Sequence, residues 1–182
     1  MSSIRSARFL AASTSLRILL TPVIMAMLME DVDRGLTAVL FAVAAATDWI
    51  DGYLARRWEV TTKLGSFLDT TADKLLVTGV LIALVAVERA SPWVAVIIIG
   101  RELMVLGLRG AIAAGGTVMQ ASMLGRLKTA VQFLAILLAI LRPGDEIGGA
   151  FLDEWVMLIA AAITVASAVD YFSRFADALS ER

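Results

Sequence analysis

The chain has 182 residues, of which 59% are apolar and 18% are charged; its formal net charge is −1, and it contains neither cysteine nor histidine. These missing residue types exclude disulfide bonds, thiolate nucleophiles and soft-metal sites, so any metal must take oxygen ligands, as Mg²⁺, Mn²⁺ and Ca²⁺ do. The near-neutral charge gives no sign of a nucleic-acid partner, and a general base must be a carboxylate, a lysine or a tyrosine.

Apolar stretches of nearly membrane-spanning length follow one another along the chain. A basic, mildly amphipathic segment at 1–13 is expected to form a short helix at the membrane surface. Each of the six segments that follow is close to the roughly 20 residues that a membrane-crossing helix needs. They are residues 14–29, 35–50, 64–87, 92–108, 123–141 and 148–172. The sequence predicts an all-α membrane protein of six transmembrane helices, with residues 1–182 forming one domain.

Basic residues collect at alternate ends of these segments. Of the 16 lysines and arginines, only Arg34, Arg89 and Arg142 lie at the ends opposite the N-terminus. Acidic residues are frequent at those same opposite ends. Because lysine and arginine mark the cytoplasmic side of a membrane protein, both termini are predicted to be cytoplasmic, and six spans satisfy that parity.

The connection between the second and third segments carries four aspartates at helical spacing. Asp48 and Asp51 are three residues apart, and Asp69 and Asp73 are four residues apart. In a helix each pair occupies one face, so two antiparallel helices can direct four carboxylates toward one point. Such charges repel strongly at low dielectric constant, and two divalent cations are the economical way to neutralise them. Two metal ions roughly 3.5–4 Å apart can hold a phosphoryl group.

Small and basic residues share the faces of the aspartates. Gly52, Ala55 and Gly65 leave room for a backbone to approach a ligand such as a pyrophosphate. Arg56 can add a bidentate contact to a phosphate. An isolated aspartate near a helix end is usually a cap or an interface charge. Four aspartates at these spacings, with glycines in phase, favour a metal-dependent site instead.

The complete pattern resembles the signature of the CDP-alcohol phosphatidyltransferase family. It reads Asp48-x2-Asp51-Gly52-x2-Ala55-Arg56-x8-Gly65-x3-Asp69-x3-Asp73. The resemblance implies a six-helix membrane enzyme, usually a dimer, that transfers a phosphatidyl group from a CDP-linked lipid to an alcohol and releases CMP. It also implies that the four aspartates bind two ions of Mg²⁺ or Mn²⁺ and that Asp73 removes the proton of the acceptor hydroxyl. The CDP-lipid would contact Asp48, Gly52, Ala55, Arg56 and Gly65.

Other segments look most like the phosphatidylglycerophosphate synthases within that family. They are STSLRILLTPV, TDWIDGYLARRW, LGSFLDTTADKLLV, GRELMVLGLRG and LGRLKTAVQF. This resemblance implies CDP-diacylglycerol and sn-glycerol 3-phosphate as substrates, in the bacterial inner membrane with the active site facing the cytoplasm. The chain departs from the subfamily at Thr70, usually proline, and at Gly100, usually alanine. Cardiolipin synthase and phosphatidylinositol-phosphate synthase therefore remain alternatives, and a cation transporter is a remote one.

A glycerol phosphate acceptor needs a cationic binding site. The candidates are Arg109, Lys128, Arg126 and Arg101. Arg109 and Lys128 match basic positions of the resembling subfamily and are the first choices. Arg101 and Glu102 interrupt an apolar run, where charge is costly and tends to be paired or functional. The alternative for each basic residue is that it only marks the cytoplasmic side.

Four further local patterns predict structural roles. Lys74 is expected to pair with a neighbour or a lipid head group, and Asp170 to act as a cap or as the partner of a nearby base. Ser91 and Pro92 predict the start of the fourth helix, because proline suits a first helical turn. Glycines in and after that helix predict close helix packing; they are Gly107, Gly110, Gly115 and Gly116.

Overall fold

The described part of the chain is all-helical. The computed structural model describes the backbone of residues 2–58, 63–114, 123–144 and 146–180, and the side chains of residues 13–47, 68, 70–113, 123–144 and 146–175. These residues form six helices and no strand. In chain order the helices are α1 (Ser2–Met29), α2 (Arg34–Trp58), α3 (Lys63–Ala86), α4 (Pro92–Ala114), α5 (Met123–Leu141) and α6 (Leu152–Ser180). The predicted all-α class and the six predicted helices are confirmed.

The first helix is longer than the sequence pattern predicts. α1 continues without a break from Ser2 to Met29 and contains Pro22. The segment 1–13, predicted as a separate helix at the membrane surface, is over its described residues the first part of α1. It contains no glycine or proline that would end a helix, so nothing in the local sequence separates it from the apolar part that follows.

Local signals place the helix ends. Asp33 caps α2, because its Oδ1 accepts a hydrogen bond from the backbone N–H of Leu36 at 2.7 Å. α4 begins at Pro92, as predicted. The first, third and fifth helices are each followed by a charged residue in the left-handed conformation, which ends a helix by reversing the sign of φ. These residues are Asp31 (φ 48°), Glu88 (φ 57°) and Arg142 (φ 44°).

The helices group into two compact units, Met1–Glu88 and Arg89–Arg182. In the first unit α1 packs against both α2 and α3, and in the second α6 packs against both α4 and α5. Each unit therefore has one helix at its centre and buries its own apolar side chains. In the first unit these include Ile24, Phe41, Leu76, Leu81 and Leu84, and in the second Ile98, Ile136, Ile140, Met157 and Ala160.

The outer faces of the helices are also apolar. Two helices of the described chain are long and apolar enough to cross a membrane, Met123–Leu141 and Leu152–Phe175, with mean hydropathies of 1.7 and 1.8. Shorter apolar helical stretches are Ser13–Met29 and Arg34–Thr47. All six helices expose large apolar side chains, a surface that suits lipid better than water. Examples, one from each helix in order, are Leu19, Val39, Ile82, Val96, Leu134 and Val169.

Three arginines lie at the helix ends opposite the N-terminus, where basic residues are otherwise absent, and each of them contacts another group of the chain. Arg34 lies 3.8 Å from the carboxylate of Asp31. Arg142 forms an ion pair with Glu154 at 2.8 Å. Arg89 is buried and donates a hydrogen bond to the backbone carbonyl of Ile140 at 3.1 Å. Their positive charges are therefore used within the fold, which explains why they depart from the bias.

A glycine marks the closest approach between helices of the first unit. A Cβ added at Gly79 of α3 would lie 2.8 Å from Cγ2 of Thr21 and 2.9 Å from Sδ of Met25, both on α1. By contrast, a Cβ at Gly107 or Gly110 of α4 would meet no atom within 4 Å among the described residues. The close packing predicted for these two glycines is therefore not found within the described chain, and Gly79 fills that role.

Candidate functional site

The four aspartates of the sequence pattern lie on two consecutive helices. Asp48 and Asp51 lie on α2, and Asp69 and Asp73 lie on α3. Because both backbones are helical at these positions, the spacings of three and four residues place each pair on one helix face. The side chains of Asp48, Asp51 and Asp69 lie outside the described residues. The convergence of all four carboxylates therefore stays a prediction.

Asp73 is the signature aspartate whose side chain is described. It is half-buried, and its Oδ2 accepts a hydrogen bond from Nζ of Lys74 at 3.0 Å. Adjacent residues point about 100° apart around a helix, so the long lysine side chain must fold back to make this contact. The predicted pairing of Lys74 with a neighbour is confirmed. It places a positive charge beside the carboxylate proposed below as the base.

The roles predicted for the remaining signature residues stay predictions. Gly52, Ala55 and Arg56 lie on α2, and Gly65 lies on α3. Their side-chain positions and surroundings lie outside the described residues. The helical backbone still keeps Gly52 and Ala55 in phase with Asp48, at four and seven residues, so the shared face that the spacing predicts is available.

An arginine of α1 is a site candidate that the sequence reasoning treated only as a topology marker. Arg17 is fully buried in the first unit, although it carries a charge within an apolar helix. It lies one turn before Thr21, and the hydroxyl of Thr21 donates to its backbone carbonyl at 2.9 Å. α1 packs against both helices that carry the aspartates. The available signal was an arginine inside an apolar run, where a buried charge is usually functional.

The four cationic candidates for the acceptor site fall into two classes in the second unit. Arg101 and Lys128 are buried, at 8% and 3% exposure. Arg109 and Arg126 are exposed. Arg126 bonds to Sδ of Met123, which lies in the same turn. Two of the four candidates are therefore buried within the unit, and the other two are exposed at its surface.

The two buried cations meet at a carboxylate. Glu102 of α4 forms an ion pair with Nζ of Lys128 on α5, and its Oε1 also lies 3.6 Å from NH1 of Arg101. NH2 of Arg101 donates a hydrogen bond to the hydroxyl of Ser167 on α6 at 2.7 Å. Arg101, Glu102, Lys128 and Ser167, here called the buried cationic cluster, therefore link all three helices of the unit.

A second polar contact continues the cluster along α5 and α6. Gln132 lies one turn after Lys128, and its Nε2 donates to the hydroxyl of Thr164 at 2.8 Å. That hydroxyl in turn donates to the backbone carbonyl of Ala160 at 2.6 Å. Both side chains are buried. Sequence reasoning singled out Arg101 and Lys128 but missed Gln132, Thr164 and Ser167, since uncharged polar residues in an apolar helix give a weak signal.

The predicted structural partner of Asp170 is also found. Its Oδ1 accepts a hydrogen bond from Nε of Arg174, four residues later on α6, at 3.0 Å. The arginine side chain is 55% exposed. The aspartate side chain is 22% exposed, so the pair lies at the edge of the helix surface, and it confirms the role given to Asp170 as the partner of a nearby base.

The donor chemistry of the first unit fits a hard divalent cation. The chain has no histidine or cysteine, and the signature supplies carboxylate oxygens, the ligands that Mg²⁺ and Mn²⁺ prefer. Among the side chains that the structure describes, no three acidic groups come together as metal ligands. Three of the four signature carboxylates lie outside that set, so the ligand arrangement remains a prediction.

Comparison with known proteins identifies the family. The sequence model of the CDP-alcohol phosphatidyltransferases matches residues 11–166. The chain belongs to the CDP-alcohol phosphatidyltransferase family. The matched region holds all four aspartates and three members of the buried cationic cluster. Family membership and the apolar helices together make the chain a membrane protein of the phospholipid-synthesising transferases.

Relatives that carry the name of one reaction of this family match most of the chain at 36–42% identity. A CDP-diacylglycerol–glycerol-3-phosphate 3-phosphatidyltransferase of Bacillus subtilis is 42% identical over 144 residues, which are 78% of this chain and 74% of the relative. Proteins of the same name from Pseudomonas fluorescens (38%, covering 87% of this chain and 85% of the relative) and Rickettsia typhi (36%, covering 87% and 92%) also match.

Proposed function

We propose that this enzyme transfers the phosphatidyl group of CDP-diacylglycerol to sn-glycerol 3-phosphate and releases CMP. The observation that carries the proposal is the signature of four aspartates, placed on consecutive helices α2 and α3 of a chain that belongs to the family. Similarity to relatives named for this reaction supports the choice of both substrates. The product is phosphatidylglycerophosphate, a precursor of membrane phospholipid.

The reaction is a direct displacement at phosphorus. Asp73 accepts the proton of the acceptor hydroxyl, the freed oxygen bonds to the lipid-linked phosphorus, and the phosphoanhydride bond to CMP breaks. Asp48, Asp51, Asp69 and Asp73 would hold two ions of Mg²⁺ or Mn²⁺, which when bound neutralise the carboxylates and stabilise negative charge on the phosphates. Gly52, Ala55, Arg56 and Gly65 line the site of the CDP-lipid.

The acceptor phosphate binds cations of the second unit. Lys128 and Arg101 are the strongest candidates, because both are buried and contact the same carboxylate. A cation out of water attracts a phosphate more strongly than one that is fully hydrated. Arg109 and Arg126 are exposed, and we give them the role of attracting the anionic acceptor to the site.

The enzyme is proposed to be a homodimer of one domain per chain, with six spans, in the bacterial inner membrane. The charge bias and the paired arginines that depart from it support a cytoplasmic position for both termini and for the active site. Exposed apolar side chains on all six helices support contact with lipid.

A panel of acceptors tests the proposal. Purified protein is supplied with CDP-diacylglycerol and Mg²⁺, and CMP release is measured with glycerol 3-phosphate, phosphatidylglycerol, inositol phosphate or no acceptor. The expected result is CMP release that depends on glycerol 3-phosphate. Release with phosphatidylglycerol alone would make the protein a cardiolipin synthase, and release with inositol phosphate alone a phosphatidylinositol-phosphate synthase. Cation flux in liposomes without any CMP would make it a transporter.

A further inference from the structure

The carboxylate of the buried cationic cluster, Glu102, has no role in the proposed reaction. Glu102 is 5% exposed and lies on α4, within an otherwise apolar run. It contacts a cation of its own helix and a cation of α5 through the same oxygen, Oε1. No other acidic side chain among the described residues contacts both Arg101 and Lys128.

The charges of the cluster explain why a carboxylate is needed there. Two buried cations from different helices repel each other, and without a counterion at least one would be left uncompensated out of water, which is strongly unfavourable. Glu102 removes this repulsion and fixes both cations around one point. With all three groups ionised, two positive charges against one negative charge leave the cluster at +1. The net positive charge of these three side chains favours an anion as a further partner.

One hydrogen-bond donor of the cluster has no acceptor within the described chain. Nε of Arg101 is buried and makes no hydrogen bond within the described chain, although the side chain is anchored to Ser167 by NH2. A buried donor without an acceptor is costly, and in native proteins it commonly indicates a missing partner. A phosphate monoester, with three acceptor oxygens and up to two negative charges, would supply both an acceptor and the balancing charge.

We propose that Glu102 is a positioning residue, which holds Lys128 and Arg101 in the arrangement that receives the phosphate of the acceptor. The inference rests on the proposed function, since that function assigns the acceptor phosphate to these two cations. Glu102 does not touch the substrate. It acts by keeping the cations in place before the phosphate arrives, so that binding does not bear the cost of bringing them together.

The test compares two changes at Glu102 with a matched control elsewhere in the unit. Glu102→Gln keeps the shape but removes the charge, and Glu102→Asp keeps the charge on a shorter side chain. The control is Glu154→Gln, because Glu154 forms an ion pair with Arg142 at 2.8 Å near the start of α6, thirteen residues before Ser167. All variants are purified at full length, and the KM of each substrate is measured from CMP release.

We expect Glu102→Gln to raise the KM for glycerol 3-phosphate by about tenfold or more, by analogy with the roughly 10–100-fold loss that follows removal of a group that orients a metal ligand. The KM for CDP-diacylglycerol should change less than about twofold. Glu102→Asp should recover part of the loss, and Glu154→Gln should leave both constants unchanged. A KM for glycerol 3-phosphate that is unchanged or lower in Glu102→Gln overturns the inference, because Glu102 would then be a bystander or a competing anion.

A direct measurement of binding tests this inference independently of the proposed function. Calorimetry with glycerol 3-phosphate, and with inorganic phosphate as a simpler probe, needs no turnover. Wild-type protein that binds glycerol 3-phosphate but releases no CMP contradicts the function, and the inference is then decided by whether Glu102→Gln weakens that binding. Wild-type protein that binds neither anion overturns the inference. Where Glu102→Gln fails to fold, Ser167→Ala must weaken glycerol 3-phosphate binding by about twofold or more, since it releases Arg101 from α6.

Discussion

The candidate site residues of the two compact units differ in the sign of their charge. In the unit Arg89–Arg182, the buried cations Arg101 and Lys128 meet a carboxylate that the protein itself supplies. In the unit Met1–Glu88, the signature places four aspartates on α2 and α3. Such an excess of carboxylates needs counterions from outside the chain, whereas an excess of one positive charge needs only an anion. The proposed ligands differ accordingly, with divalent metal ions for the first unit and a phosphate for the second.

Metal removal should give the largest effect, and it should affect the proposed sites of the two units differently. Treatment with EDTA is expected to abolish CMP release, and added Mg²⁺ or Mn²⁺ to restore it, because bound cations neutralise the aspartates and the reacting phosphates. Binding of glycerol 3-phosphate, measured by calorimetry, should persist in EDTA since its cations belong to the protein. Full turnover in EDTA would remove the basis for the contrast between the units.

The next largest effect is expected at the proposed base. Asp73→Asn should lower kcat by about a thousandfold, within the range that a general base contributes, while some binding of CDP-diacylglycerol is retained. The control is Asp170→Asn, which removes the charge of an aspartate outside the signature that pairs with Arg174. This variant should keep wild-type turnover. CMP release by Asp73→Asn at the wild-type rate would show that another group accepts the proton.

Breaking the buried ion pair should destabilise the second unit more than breaking an exposed pair. Lys128→Gln removes one of the two cations that contact Glu102 and is expected to cost about 1–3 kcal/mol of stability, as well as acceptor affinity, because Arg101 still compensates the carboxylate. Arg174→Gln breaks an exposed pair and should cost less than about 1 kcal/mol. Thermal unfolding of both variants measures the difference.

The double variant Lys128→Gln, Glu102→Gln sharpens this result. The double variant removes the contact between Lys128 and Glu102, and it leaves one cation, Arg101, without a carboxylate, whereas Glu102→Gln alone leaves two. The two losses of stability should therefore not add, and the coupling energy between them should be about 1 kcal/mol or more. Additive losses would mean that the two residues act independently, contrary to their contact in the structure.

The last contrast concerns helix packing, which also differs between the units. Gly79→Ala places a methyl group 2.8 Å from Thr21 and 2.9 Å from Met25, and should cost about 1–3 kcal/mol because the β-branched threonine cannot yield. Gly100→Ala meets no described atom within 4 Å and should be neutral or stabilising by up to about 1 kcal/mol. Equal effects of the two changes on the melting temperature would contradict the close contact of α1 with α3.

Local sequence patterns determined the helices and the signature. The six apolar segments, the start of α4 at Pro92 and the spacing of the aspartates all depend on residues a few positions apart, which helical periodicity relates directly. The continuity of α1 through segment 1–13 was missed, because the change from a basic to an apolar composition there is not accompanied by a helix breaker.

The sequence by itself determined an all-helical chain, the helix faces that carry the aspartates and a short set of candidate cations. Only the tertiary structure decided which cations are buried, and what they contact. Lys128 meets Glu102 across 26 residues and Arg101 meets Ser167 across 66, and the burial of Arg17 depends on the packing of α1 within its unit. Such contacts depend on how separate helices pack, and helical periodicity carries no information about that beyond a single helix.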